Sequence, residues 1–201
     1  MKLYYVPGAC SMAPHIALRE AGLAFELDRM DPATRRTAQG EDYLKVNPKG
    51  SVPALRLDNG EVLTEVAVLL QYIADQKPAA GLAPAAGGMA RYRLAEWLTF
   101  VSSDIHKQFS PFFNPKLPPE WRENQIAVLA RRFEVLADRL RSHPYLMGET
   151  FTVADIYLFV VLRWANLFKL DLGKWPVLGE FLDRIATRPA VQAALKAEGL
   201  A

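Results

Sequence analysis

The sequence is poor in cysteine: Cys10 is the only one among 201 residues. One thiol cannot form an internal disulfide or an all-cysteine metal site, so Cys10 is either an inert buried residue or a chemical one. No apolar run approaches the ~18 residues of a membrane span, which argues against a membrane partner. The opening Met1-Lys2-Leu3-Tyr4-Tyr5-Val6-Pro7 lacks the long apolar core and small-residue cleavage site of a secretion signal, and a cytoplasmic location is expected. An excess of charge is also missing. Lys and Arg number 24 against 22 Asp and Glu, with the basic residues scattered, so no nucleic-acid partner is expected. What is present is a composition 51% apolar, enough to fill the cores of two small domains.

Leu3-Tyr4-Tyr5-Val6, ended by Pro7-Gly8, reads as a buried strand running into a turn. Ser11 is placed to cap a helix over Met12–Glu20 that Gly22 stops, with Pro14 harmless in its first turn. Phe25–Met30 alternates as a second strand, parallel to the first across the helix. Ala54-Leu55-Arg56-Leu57 and Glu61-Val62-Leu63 flank Asp58-Asn59-Gly60, a hairpin signal, and Thr64 is placed to cap a closing helix through about Ala74. This order predicts an α/β domain with a mixed four-stranded sheet, resembling the thioredoxin-like outline, over residues 1–78. The Pro-, Ala- and Gly-rich stretch 79–88 reads as a linker, and 89–201 as an all-α helical domain. There Leu94, Trp97, Val101 and Ile105 repeat at helical spacing, as do Ile126, Leu129, Phe133, Leu136 and Leu140. Thr152 and Asp155 form a capping box ahead of Ile156–Leu162, which is apolar on all sides and belongs at the domain centre. Shorter helices near Val177–Ala186 and Ala190–Ala197 end the chain.

Cys10 follows the first strand and precedes the Ser11 cap. A helix N-terminus there would lower its pKa from about 8.5 into the range of roughly 3.5 to 7.5. A second cysteine at C-x-x-C spacing is missing, so thiol exchange would need an external thiol. Pro53 opens a strand although it cannot donate to the ladder, which a cis Val52-Pro53 bond would rationalise. Such a turn aims the backbone of Val52 at an extended peptide ligand. Glu65 stands at the entry to the closing helix, a place that suits a ligand's carboxylate on the backbone N–H groups and its ammonium on the Glu65 side chain. His106 shares a helix face with Ser102 and Ser103, and counts as catalytic only if that helix faces Cys10. No role falls to His15 or His143, and no metal site is indicated.

Together, Lys2-Leu3-Tyr4-Tyr5, Pro7-Gly8-Ala9-Cys10-Ser11, Asn47-Pro48-Lys49-Gly50-Ser51-Val52-Pro53-Ala54-Leu55, Leu63-Thr64-Glu65, Glu96-Trp97-Leu98, His106-Lys107, Phe151-Thr152-Val153-Ala154-Asp155 and Ala197-Glu198-Gly199-Leu200 resemble the glutathione transferases, specifically the bacterial beta class. The resemblance spans the whole chain. It implies Cys10 and His106 as catalytic residues. It implies glutathione contacts from Cys10, Arg35, Val52, Glu65, Val66, Thr99, Ser103, Asp104, Ile105 and His106. Tyr5, Ser11 and Lys107 are secondary candidates; Pro53, Thr152 and Asp155 are structural. Arg35 replaces a usual lysine, Val66 a serine or glycine, and Thr99 an asparagine, changes that bear on affinity.

The reaction so implied conjugates glutathione, a co-substrate, to small hydrophobic electrophiles, with no other cofactor and in a homodimer. The helical domain would contribute the electrophile pocket. Two neighbouring thiolates repel, so in conjugation Cys10 is expected to stay neutral and donate a hydrogen bond to the glutathione sulfur. Two other readings are a glutathione-dependent thiol transferase or peroxidase working through a Cys10 mixed disulfide, and a non-enzymatic carrier of hydrophobic ligands. Phe109, Phe112, Phe113 and Trp164 would line the carrier's site or simply fill a core.

Overall fold

The computed structural model describes residues 1–200. The chain divides into two compact units, one of Met1–Ala83 with a tail segment opening at Arg188, the other of Pro84–Thr187.

The first unit carries strands β1 (Lys2–Tyr5), β2 (Glu26–Arg29), β3 (Ala54–Arg56) and β4 (Val62–Thr64), in the sheet order β2-β1-β3-β4. β1 and β2 are parallel, as a strand–helix–strand unit requires, with Leu3 opposite Leu27. β3 runs antiparallel to both neighbours, pairing Leu55 with Leu3 and with Leu63. The mixed four-stranded sheet is thus as expected. The hairpin closes on Gly60, whose φ of 89° is a backbone conformation glycine adopts without a Cβ penalty.

Helix α1 (Met12–Glu20) follows β1, the single-turn α2 (Tyr43–Val46) precedes β3, and α3 (Val66–Gln76) follows β4. Alternation along β1 sends Leu3 and Tyr4 to opposite faces. Tyr4 joins Met30, Tyr43, Val46 and Ala54 in one buried cluster. α1 and α3 pack on each other, burying Ile16, Leu69 and Ile73 completely.

Two expected caps are corrected. Ser11 is itself in helical conformation and its side chain caps nothing; its Oγ accepts from Val6 N–H at 3.1 Å and donates to Val6 C=O at 3.2 Å, clasping the end of β1. Thr64 belongs to β4, and the cap of α3 is Glu65, held at φ 71° and ψ 118°. In both places a hydrogen bond to a strand or loop partner replaces the expected cap.

The division of the tail also differs from the sequence-based one. α10 (Pro189–Ala197) packs on α1 and belongs to the sheet-bearing unit instead of the helical one. Its apolar stripe, Val191, Ala194 and Leu195, identified a buried face but not the partner.

The second unit contains α4 (Met89–Phe100), a π turn over Val101–His106, α5 (Lys107–Phe109), α6 (Pro119–Ser142), α7 (Val153–Leu162), α8 (Trp164–Leu167) and α9 (Pro176–Ala186). All ten residues of α7 are buried, and α4, the π turn and α9 pack against it. The Thr152–Asp155 capping box is formed in both directions. Asp155 also accepts from Leu146 N–H at 2.8 Å. Burial pushes its carboxyl up to about 6, against the pull of these donors. Leu129, Phe133, Leu136 and Leu140 of α6 are buried as expected, but Ile126 stays 38% exposed and does not belong to the core.

Candidate active site

Cys10 sits between a turn and α1. The turn closes through Ala9 N–H on Val6 C=O, and Gly8 takes φ 73° within it. The thiol is 8% exposed and its Sγ donates to Val52 C=O at 3.3 Å. Burial pushes the Cys10 pKa up to about 12, outweighing the Cys10 and Ser11 backbone N–H groups that favour a thiolate, while Glu65 raises it further. The expected lowering is therefore corrected. A fixed N-terminus helps an anion only where desolvation is small, and here desolvation dominates.

The Val52 backbone is held by its neighbours. The Val52-Pro53 bond is cis. Tyr43 Oη and Asn47 Nδ2 both donate to Ser51 C=O, at 2.8 and 2.7 Å, and the Arg35 guanidinium donates to Gly50 C=O. Arg35, with φ 57°, thus braces the loop ahead of Val52 in this structure.

Glu65 shows its carboxylate to solvent and pairs with Lys49, Nζ to Oε1 at 2.6 Å; the same ammonium donates to Thr64 Oγ1 at 3.0 Å. Val66 begins α3 with its side chain buried, which leaves its backbone N–H as its polar group. First-turn N–H groups find no partner within a helix and suit a carboxylate. Lys49 escaped the sequence reading as a site residue, although Asn47-Pro48-Lys49-Gly50 was singled out as a motif.

Tyr5 turns its ring toward His15, with centroids 6.4 Å apart. Burial first and the Glu198 carboxylate second raise its phenol, which disfavours it as a thiol activator. His15, given no role from sequence, lies in a buried chain. Arg19 Nε–H donates to its Nε2 at 2.9 Å, so Nδ1 carries the ring proton and donates to Glu198 Oε1 at 2.8 Å. Glu198 Oε2 accepts from Gly8 N–H at 2.9 Å, which ties the tail to the turn ahead of Cys10. The motif Ala197-Glu198-Gly199-Leu200 held the signal without its partners.

In the helical unit, His106 ends the π turn, where i→i+5 bonding rotates the helix face relative to an α-helix. Its Nδ1 is 2.7 Å from the buried Tyr157 hydroxyl, and Trp164 packs edge-on at 5.1 Å between centroids. Ser103 Oγ has two acceptors for its one proton, Thr99 C=O at 3.0 Å and Asp104 Oδ2 at 2.7 Å, and Asp104 pairs with Arg132 at 3.0 Å. Ile105 is fully buried, so only its backbone is available to a ligand, while Thr99 and Lys107 are exposed. Phe109 is fully buried and belongs to the core, whereas Phe113 is 53% exposed and meets Trp164 at 5.2 Å and Phe168 at 4.8 Å, both edge-on. Phe168 was not singled out from sequence. Among the described residues no cluster of His, Cys, Asp and Glu could hold a metal ion, and no helix is long and apolar enough to cross a membrane.

Two family models match the chain: the glutathione S-transferase N-terminal domain over residues 8–76 and the glutathione S-transferase C-terminal domain over residues 100–189. Glutathione S-transferase GstA of Escherichia coli O157:H7 is 44% identical over 200 residues, covering all of both chains. Among solved structures, the ternary complex of BphK, a bacterial glutathione S-transferase, is 55% identical with a TM-score of 0.98 and full coverage of both chains. A beta-class enzyme of Sphingomonas chungbukensis is 50% identical with a TM-score of 0.96, also over the full length of both. The chain belongs to the glutathione S-transferase family and shares the architecture of its bacterial beta class.

Proposed function

We propose that this glutathione transferase joins the sulfur of glutathione to an electrophilic carbon of small hydrophobic compounds, with Cys10 acting as a neutral thiol donor. The observation that carries this reading is the buried Cys10 thiol, whose pKa is pushed up to about 12. It stays protonated at neutral pH, and its one S–H, which donates to Val52 C=O in this structure, turns to donate to an incoming thiolate instead of repelling it. His106 supplies a second donor to the same sulfur. The thiol proton of glutathione leaves to solvent, the sulfur pair forms a C–S bond, and the displaced pair departs with the leaving group or moves onto the electrophile's acceptor atom.

The γ-glutamyl end of glutathione fits Glu65 and the Val66 N–H, with Lys49 sharing the Glu65 carboxylate. The cysteinyl backbone pairs with Val52, while Arg35 takes a carboxylate or braces Val52. Thr99, Ser103, Asp104 and the Ile105 backbone complete the set, and no further cofactor is needed. Phe113 offers apolar surface to the electrophile, with the buried Trp164 packed edge-on against it. The working protein is proposed to be a cytoplasmic homodimer, sedimenting at twice the 22.5 kDa of one chain. The mixed-disulfide route requires Cys10 as a thiolate, which its burial opposes, so conjugation is the favoured chemistry.

Paired variants test this. Cys10→Ala retains conjugation at a rate lowered by about ten- to a hundred-fold, the worth of one hydrogen bond to a charged sulfur, and loses all mixed-disulfide formation. His106→Phe lowers kcat for conjugation more than it raises KM for glutathione. Complete loss of conjugation in Cys10→Ala, or an unchanged kcat in His106→Phe, contradicts the assigned role.

A further inference from the structure

We propose that Tyr157 is a positioning residue that fixes the tautomer and plane of His106, so that the imidazole presents an Nε2–H donor to the reacting sulfur. This rests on the role given to His106 above. The geometry is specific: the Tyr157 hydroxyl lies 2.7 Å from Nδ1, not from Nε2. Tyr157 is 1% exposed on α7, a helix buried along its whole length, so its hydroxyl is held by the core. The His106 ring is further fixed by edge-on contacts with Tyr157 at 5.8 Å and 81° and with Trp164 at 5.1 Å and 62°. The π turn over Val101–His106 packs on α7 and brings the two residues, 51 positions apart in sequence, together.

A neutral imidazole has one N–H and one bare nitrogen, and the partner of one nitrogen decides the state of the other. A phenol can meet Nδ1 as donor or as acceptor; in the proposed arrangement it donates, and the proton then resides on Nε2, at the edge of the ring away from Tyr157. The opposite tautomer would leave Nε2 a bare acceptor that repels a thiolate. The phenol therefore acts through His106 and does not touch the substrate.

The test uses the full-length protein labelled with 15N-histidine at about pH 8.5, above the ordinary histidine pKa of about 6.5. Long-range proton–nitrogen spectra distinguish a protonated ring nitrogen from a bare one, and the His106 signals are those missing in His106→Phe. In the unmodified protein His106 is expected protonated on Nε2, with Nδ1 shifted as a hydrogen-bond acceptor. In Tyr157→Phe that Nδ1 shift is lost, and kcat for conjugation falls about ten-fold with KM for glutathione within about two-fold. A proton on Nδ1 in the unmodified protein overturns the inference even if Tyr157→Phe fails to fold. An unaltered Nδ1 signal or an unaltered kcat in a folded Tyr157→Phe overturns it as well. Undiminished conjugation in His106→Phe instead removes His106 from the mechanism, and the tautomer measurement separates that failure from this one.

Discussion

The Cys10 thiol donates to the carbonyl of Val52 at 3.3 Å, and this contact joins the residue with the most distinctive chemistry to the loop that precedes β3. A thiol buried against a carbonyl keeps its proton. Burial first, and the nearby Glu65 carboxylate as well, disfavour the thiolate and outweigh the Cys10 and Ser11 backbone N–H groups that would stabilise it.

Alkylation and stability both report this protonation state. Iodoacetamide is expected to modify Cys10 slowly at pH 7 to 8 and faster only in more alkaline solution, since the thiolate is the nucleophile. The folded pKa of about 12 lies above the ordinary thiol value of 9.0. The folded state therefore holds its proton more tightly, and the associated stability is fully present below about pH 9 and lost as pH rises toward 12. Urea denaturation of the parent and of Cys10→Ala should show the parent losing stability more steeply above about pH 9. Parallel curves up to pH 11 would reject the buried thiol.

Glu65 is held at φ 71° and ψ 118°, which an L residue adopts only under strain. Glu65→Gly relieves that strain and removes the carboxylate. Stability by urea denaturation is expected to rise by about 1 kcal/mol while KM for glutathione increases. A variant that loses stability would show that the Lys49 ion pair outweighs the strain, against the small worth of exposed pairs.

Glu198 accepts from both His15 and Gly8, so Glu198→Ala removes the acceptor of a buried imidazole N–H and of a half-buried backbone N–H. The cost is expected at about 1–3 kcal/mol, chiefly from the buried imidazole donor left without its acceptor. Conjugation should weaken as well, because the Gly8 turn leads directly to Cys10. Glu198→Gln keeps one acceptor and turns an amide NH2 toward the other donor, so its denaturation midpoint should fall between those of the parent and Glu198→Ala.

Local chemistry made much of the fold legible. Alternating apolar strands, the Asp58-Asn59-Gly60 hairpin, the Thr152–Asp155 box and the all-apolar α7 each depend on interactions within a few residues, so the sequence displays them directly. The family and the candidate residues were legible for the same reason, since motifs such as Pro7-Gly8-Ala9-Cys10-Ser11 are contiguous. Three things depended on contacts that no local pattern displays. Ser11 gave up its cap because the Val6 backbone offered it two hydrogen bonds. α10 joined the sheet-bearing unit because Glu198 satisfies Gly8 and His15, partners more than 180 positions away. The Cys10 pKa rose instead of falling because desolvation depends on every atom packed around the sulfur, and no helix-end pattern in sequence counts those atoms. The sequence by itself determined which residues could do chemistry; the packing decided which protons they hold.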